Sequence, residues 1–154
     1  MKIANFKVFI GLVLLTSCGV KKADTSSQPT VKVANEDMRM ETIIARIEEG
    51  SLTSDPVTIK SVSIKGNFME MEISYNAGCA NHTFEFTGDS KIAKSLPPIR
   101  NVQLIHASNG DQCEKVFNRK ILIDVSELAY KKEKGSEIYL KLSGWKENIK
   151  YTFE

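Results

Sequence analysis

Four side chains able to ligate a metal, attack a carbonyl or cross-link the chain fall into two short clusters. The first reads Gly78-Cys79-Ala80-Asn81-His82 and the second His106-Ala107-Ser108-Asn109-Gly110-Asp111-Gln112-Cys113. Together they hold both histidines and two of the three cysteines of the chain. Several chemistries suit these residue types. Cys79 and Cys113 can form a disulfide, with His82 and His106 hydrogen-bonded to backbone or to each other. The four side chains can instead make a tetrahedral Cys2His2 zinc site, although zinc fingers space their ligands in tighter pairs than His106 and Cys113. A disulfide can also leave His82, His106 and Asp111 to hold a metal. Last, a free thiol beside a histidine supplies a nucleophile and a base, a hydrolase-like centre, but no third group is indicated.

No serine elbow, glycine-rich phosphate loop or metalloprotease helix motif accompanies the clusters. Asp111 and Glu114 could pose as acid and base, yet carboxylates near a turn are ordinarily solvated. Ser108-Asn109-Gly110-Asp111 has too few ligands for a calcium loop and reads as a turn. The expectation is a chain that is not an enzyme, with no catalytic residues and no cofactor, zinc at His82 and His106 (with Cys79 and Cys113, or with Asp111) being the alternative.

The elements that must position these residues read as strands. Alternation starts at Val57 and Ile59, with a phase change near Ser61 that predicts a bulge or twist. It continues through Met69, Met71 and Ile73, Phe84 and Phe86, Val102 and Leu104, Ile121 to Val125, Ile138 to Leu142, and Ile149 to Phe153. Turn residues separate the runs: Gly66-Asn67, Gly88-Asp89, Pro97-Pro98, Asn109-Gly110-Asp111, Gly135 and Gly144. About seven short strands at this spacing predict an all-β fold, an antiparallel β-sandwich over 56–154. Arg100 and Gln103 are expected near its rim and Trp145 as a lid on its core. Cys79 and His82 follow one strand and His106 ends another, so adjacent strands would gather the cluster at one end.

Residues 36–55 are ambiguous. Met40, Ile43, Ile44 and Ile47 follow helical spacing, with Asn35 as a cap and Gly50 as a stop. The isoleucine pair and Thr42 equally suit an edge strand. A short helix is expected, with the strand as the alternative.

The start of the chain carries a different signal. Lys2 and Lys7 precede or enter an apolar run ending at Leu15, followed by small residues and Cys18. This is the pattern of a secretory signal peptide over 1–17, too short for a membrane span. Leu15-Thr16-Ser17-Cys18 resembles the lipobox of bacterial lipoproteins. The resemblance implies cleavage before Cys18, acylation of its thiol (palmitate among the chains) and insertion in a lipid membrane. Gly19 in place of an aspartate implies the outer membrane of the cell envelope. Residues 18–35 are polar and read as a lipidated flexible tether.

That assignment simplifies two counts. The net charge of +2 disappears, because Lys2 and Lys7 leave with the signal while all 19 acidic residues stay. A neutral mature chain gives no basis for nucleic-acid binding. With Cys18 acylated, Cys79 and Cys113 remain as a pair in an oxidising compartment, which favours a disulfide.

The region from Val57 to Phe153 resembles small envelope lipoproteins of the Bacteroidetes type. Gly78-Cys79-x-x-His82, Lys94-Ser95-Leu96-Pro97-Pro98, His106 with Asn109, Asp111 and Cys113, and Gly144-Trp145 with Ile149 and Tyr151 carry the likeness. It is also similar to the C-terminal β-sandwich domain of NigD-like proteins. Residues 19–55 are too few for the N-terminal barrel of that family. The resemblance implies fold and location, a binding or scaffolding module, and leaves any protein or glycan partner unnamed.

Overall fold

Nine strands pack as two sheets in a computed structural model of the chain, which describes Met40 and residues 42–154. The signal segment, Cys18 and the tether lie outside the described residues. One sheet has the order β1 (Thr42–Ile44), β7 (Lys115–Asp124), β4 (Phe68–Ala77), β3 (Thr58–Lys65). The other runs β2 (Arg46–Glu48), β5 (Thr83–Ala93), β6 (Ile99–Ala107), β8 (Glu137–Leu142), β9 (Asn148–Thr152). Strand pairing, core and both Cys/His clusters all lie within the compact unit Asp37–Glu154, so this unit contains what it needs to fold alone.

The alternating residues close the core between the sheets. Met69, Met71 and Ile73 of β4 and Ile121 and Ile123 of β7 face Phe86 of β5, Leu104 of β6 and Ile138, Leu140 and Leu142 of β8, all buried. Their partners in alternation, such as Glu70 and Glu72, point away, as a two-residue period requires. Tyr151 is fully buried and donates its hydroxyl hydrogen to Asn67 Oδ1 at 2.8 Å. Burial, then the charges of Asp124 and Glu154, pushes its phenol up to about 12. Trp145 is half-buried against the core, as a lid should be. The phase change near Ser61 is a register shift between Ile59 and Ser61, which face Ile73 and Glu72 of β4.

The sandwich is mixed rather than antiparallel. β1 runs parallel to β7, β2 to β5 and β6 to β8. The β6–β8 pair is parallel because the chain leaves for the other sheet as β7 and returns through a one-turn 3-10 helix, Ser126–Leu128. Residues 42–48 are strand, not helix. They form one extended stretch that changes sheets at Ala45, which is buried and donates its N–H to Asp124 O. Two open sheet edges offer ladder partners here, and these outweigh an isolated helix of marginal length. Ile43 turns inward and Ile44 outward, so period two replaces the helical spacing.

Arg100 lies inside the sandwich rather than at its rim. It shares the inward phase of Val102 and Leu104 and is only 6% exposed. Its guanidinium reaches two carbonyls instead of the rim: Nε donates to Leu128 O at 3.1 Å and an Nη to Asp89 O at 2.5 Å. Burial lowers its pKa, opposed by the Asp89 charge. Gly88 makes room for it, since a Cβ there would lie 2.7 Å from Leu128 Cδ2 and 2.8 Å from Arg100 Cδ.

Candidate functional site

β4 and β7 are neighbours in one sheet, β5 and β6 in the other. The β4–β5 and β6–β7 connections therefore cross between sheets side by side, at one end of the sandwich. Cys79 sits in the first connection and Cys113 in the second, and a disulfide joins them with Cα atoms 5.8 Å apart. His82 precedes β5. His106 lies on β6 opposite Phe84 of β5. All the chemistry-bearing residues singled out in the two clusters come together here, Asp111 included.

Asp111 organises the end. Its Oδ2 accepts the backbone N–H groups of Gly78, Cys79 and Ala80, each at 2.9 Å, and His82 Nε2–H at 3.0 Å. Oδ1 accepts the Cys113 N–H at 2.8 Å. Five donors on one side chain that is 0% exposed form a nest for a carboxylate. The Cys79 and Cys113 N–H groups first, then the His82 ring, hold its pKa far below the usual carboxylate range. The loop geometry that permits this uses left-handed backbone at Asn109 and Gly110, φ 53° and 77°. These are residue types that tolerate it.

The histidines continue the network. His82 Nδ1 meets His106 Nε2 at 2.7 Å, and His106 Nδ1 meets Pro56 O at 3.0 Å. The end partners fix the protons. A carboxylate and a carbonyl can only accept, so His82 Nε2 and His106 Nδ1 both carry hydrogen. Two neutral rings would then oppose lone pairs across the 2.7 Å contact. A proton shared between His82 Nδ1 and His106 Nε2 would turn that contact into a hydrogen bond. Asp111 would be the counter-charge to such a shared proton, 3.0 Å from His82 Nε2. Tyr75 covers the pair, its ring centroid 5.1 Å from each imidazole and from Phe84.

The segment before β3 straps the same end. Asp55 accepts the Ser108 N–H at 2.7 Å and hydroxyl at 2.6 Å, and its own N–H donates to His106 O. The Ser108 hydroxyl, then its N–H, lowers the Asp55 pKa. Ser54 Oγ accepts the His106 N–H at 3.0 Å. Sequence reasoning missed Asp55, Pro56 and Tyr75. The Pro56 contribution is a main-chain carbonyl, which no residue type announces, and Tyr75 reads as one more strand residue.

Chemically, the site is occupied by itself. The sulfurs of Cys79 and Cys113 lie near Asp111 as a metal cage would place them, but they are bonded to each other and are not thiolates. His82 and His106 spend their ring nitrogens on Asp111, Pro56 and one another. Among the described residues no buried side-chain nitrogen or oxygen lacks a partner. A cleft lined by Asp55, Tyr75, His106 and Glu114 opens beside the cluster. Ser108 to Asp111 behaves as a turn, with Asp111 N–H on Ser108 O at 3.1 Å.

No family model matches the sequence, and no curated protein matches it. Solved structures do. A NigD-like immunity protein from Bacteroides caccae superposes with a TM-score of 0.55 at 18% identity, over 73% of this chain and 59% of that one. A protein of unknown function from Bacteroides vulgatus gives 0.48 at 14% identity, over 75% of this chain and 57% of that one. The chain spans less than two thirds of the length of either structure. In fold, though distantly in sequence, this β-sandwich is similar to the NigD-like immunity protein.

Proposed function

We propose that the chain is a lipid-anchored lipoprotein of the bacterial envelope, sited in the outer membrane, whose sandwich serves as a non-catalytic binding or scaffolding module. The observation that carries the non-catalytic part is the closure of the Cys79/His82/His106/Asp111/Cys113 cluster on itself. A catalytic pair needs one member free to meet substrate. Here every polar member already has a partner within the protein. The same reading makes the cluster a clamp on two crossing loops. A zinc-binding role would require the ring hydrogen bonds to open and, for a Cys2His2 site, the disulfide as well. The anchor rests on Leu15-Thr16-Ser17-Cys18 and the charged, apolar stretch before it. The B. caccae neighbour is described as an immunity protein, and a binding role for this chain accords with that description.

The test is metabolic labelling with a clickable palmitate analogue in a bacterial host, followed by mass spectrometry of the envelope fraction. The expected product begins at acylated Cys18, and Cys18→Ser loses both label and cleavage. An unlabelled chain that still carries residues 1–17 would contradict the anchor.

A further inference from the structure

The end of the sandwich opposite the clamp carries an exposed apolar tip set among lysines. The β5–β6 turn, Lys94 to Pro98, presents Leu96 at 99% exposure. Tyr130, 50% exposed, lies across a groove it shares with Pro97, Pro98, Lys131 and Lys134. A lone surface leucine needs no explanation. This one differs in its support and surroundings. Ser95 N–H donates to Ala93 O at 3.0 Å and Ser95 Oγ to Pro97 O at 2.7 Å, while Tyr139 N–H holds Pro98 O at 2.8 Å. The turn is braced from both sides, so Leu96 is held outward.

Charge distinguishes the patch further. Lys132 is paired with Glu127 at 2.6 Å, and Glu137 with Lys150 at 2.7 Å. Lys94, Lys131 and Lys134 make no ion pair among the described residues, and Glu133 is the one acidic side chain left beside them. The result is an excess of positive charge around an apolar tip and an amphipathic phenol ring. A tyrosine with one apolar face and one wet end, an aliphatic wedge and flanking lysines match the interface of an anionic bilayer.

We infer that the Leu96/Tyr130 tip is a docking surface for an anionic phospholipid bilayer. Leu96 enters the acyl boundary, Tyr130 lies at headgroup level, and Lys94, Lys131 and Lys134 meet the lipid phosphates. Docking through this end turns the disulfide-clamped end and its cleft away from the bilayer. The inference goes beyond the anchor at Cys18 and does not depend on its acylation.

The test uses residues 37–154, which lack Cys18, so failure of the anchor and failure of the docking surface read out separately. The probe is sedimentation with phosphatidylcholine vesicles, with and without about 30 mol% phosphatidylglycerol. The expected result is binding that requires the anionic lipid and falls with added salt. Leu96→Ser should weaken it about ten-fold. Lys131→Gln with Lys134→Gln should weaken it on the order of 20-fold. Val116→Ser, at an exposed position of β7 near the clamped end, should leave it unchanged. Circular dichroism confirms that each variant is folded. Absence of vesicle binding, as a patch made for a protein partner would give, overturns the proposal. So does binding that ignores lipid charge, or equal losses in Val116→Ser and Leu96→Ser.

Discussion

Asp111→Asn is expected to lower the melting temperature by roughly 10 °C and to loosen both loops at the clamped end. The carboxylate accepts five hydrogen bonds, four of them from backbone N–H groups. An amide keeps one oxygen for the Gly78–Ala80 nest, but its NH2 then faces the Cys113 N–H, donor against donor. It also removes the negative charge that faces His82 Nε2. The variant should differ from Glu70→Gln, whose parent carboxylate only meets Lys120 at a half-exposed surface pair. Thermal melts of the two variants check this, and equal melting points would contradict it.

The pH dependence has a definite sign. Asp111 has a native pKa held below its unfolded value of 3.8. Its contribution is therefore complete above that value and is lost as the pH falls through the lower native one. The stability gap between wild type and Asp111→Asn should be flat from weakly acidic to neutral pH and should narrow in strong acid.

The second large effect concerns the disulfide. Cys79 and Cys113 close a loop with a sequence separation of 34, and releasing it restores about 4 kcal/mol of chain entropy to the unfolded state. Against a typical total of about 5–15 kcal/mol, the Cys79→Ala/Cys113→Ala variant should unfold at markedly lower denaturant. The bridge and the nest also share parts, because the Cys79 and Cys113 N–H groups both bind Asp111. A double-mutant cycle by urea unfolding should show coupling: with the bridge absent, Asp111→Asn costs less than it does in the wild type. Strict additivity would mean that the two devices hold the loops independently.

The sequence made the sandwich legible wherever one face is buried. Phe84 and Phe86, Val102 and Leu104, and Ile138, Leu140 and Leu142 alternate with outward residues because each strand has a single inner side, and all of these are buried. It could not reveal which pairs run parallel, since β6 and β8 become neighbours only through sheet order. Residues 42–48 misled because their isoleucines satisfy two periods, and the choice fell to the open edges beside β7 and β5. The charge of Arg100 points to the rim, whereas its phase with Val102 takes it inside, where two carbonyls accept its N–H groups. At the site, the gathering of Cys79, His82, His106 and Cys113 followed from turns at strand ends. The role of Asp111 did not, because a carboxylate in a Gly-Asp turn is ordinarily solvated, and its five donors are mostly main chain.

The Cys/His/Asp cluster closes on itself, with every ring nitrogen of His82 and His106 facing a partner inside the protein. Heteronuclear NMR of the imidazole rings in the native protein at neutral pH tests it most directly. The expected spectrum shows hydrogen on His82 Nε2 and on His106 Nδ1, and a third, far-downfield proton shared between His82 Nδ1 and His106 Nε2. Two neutral rings with a single N–H each would contradict it.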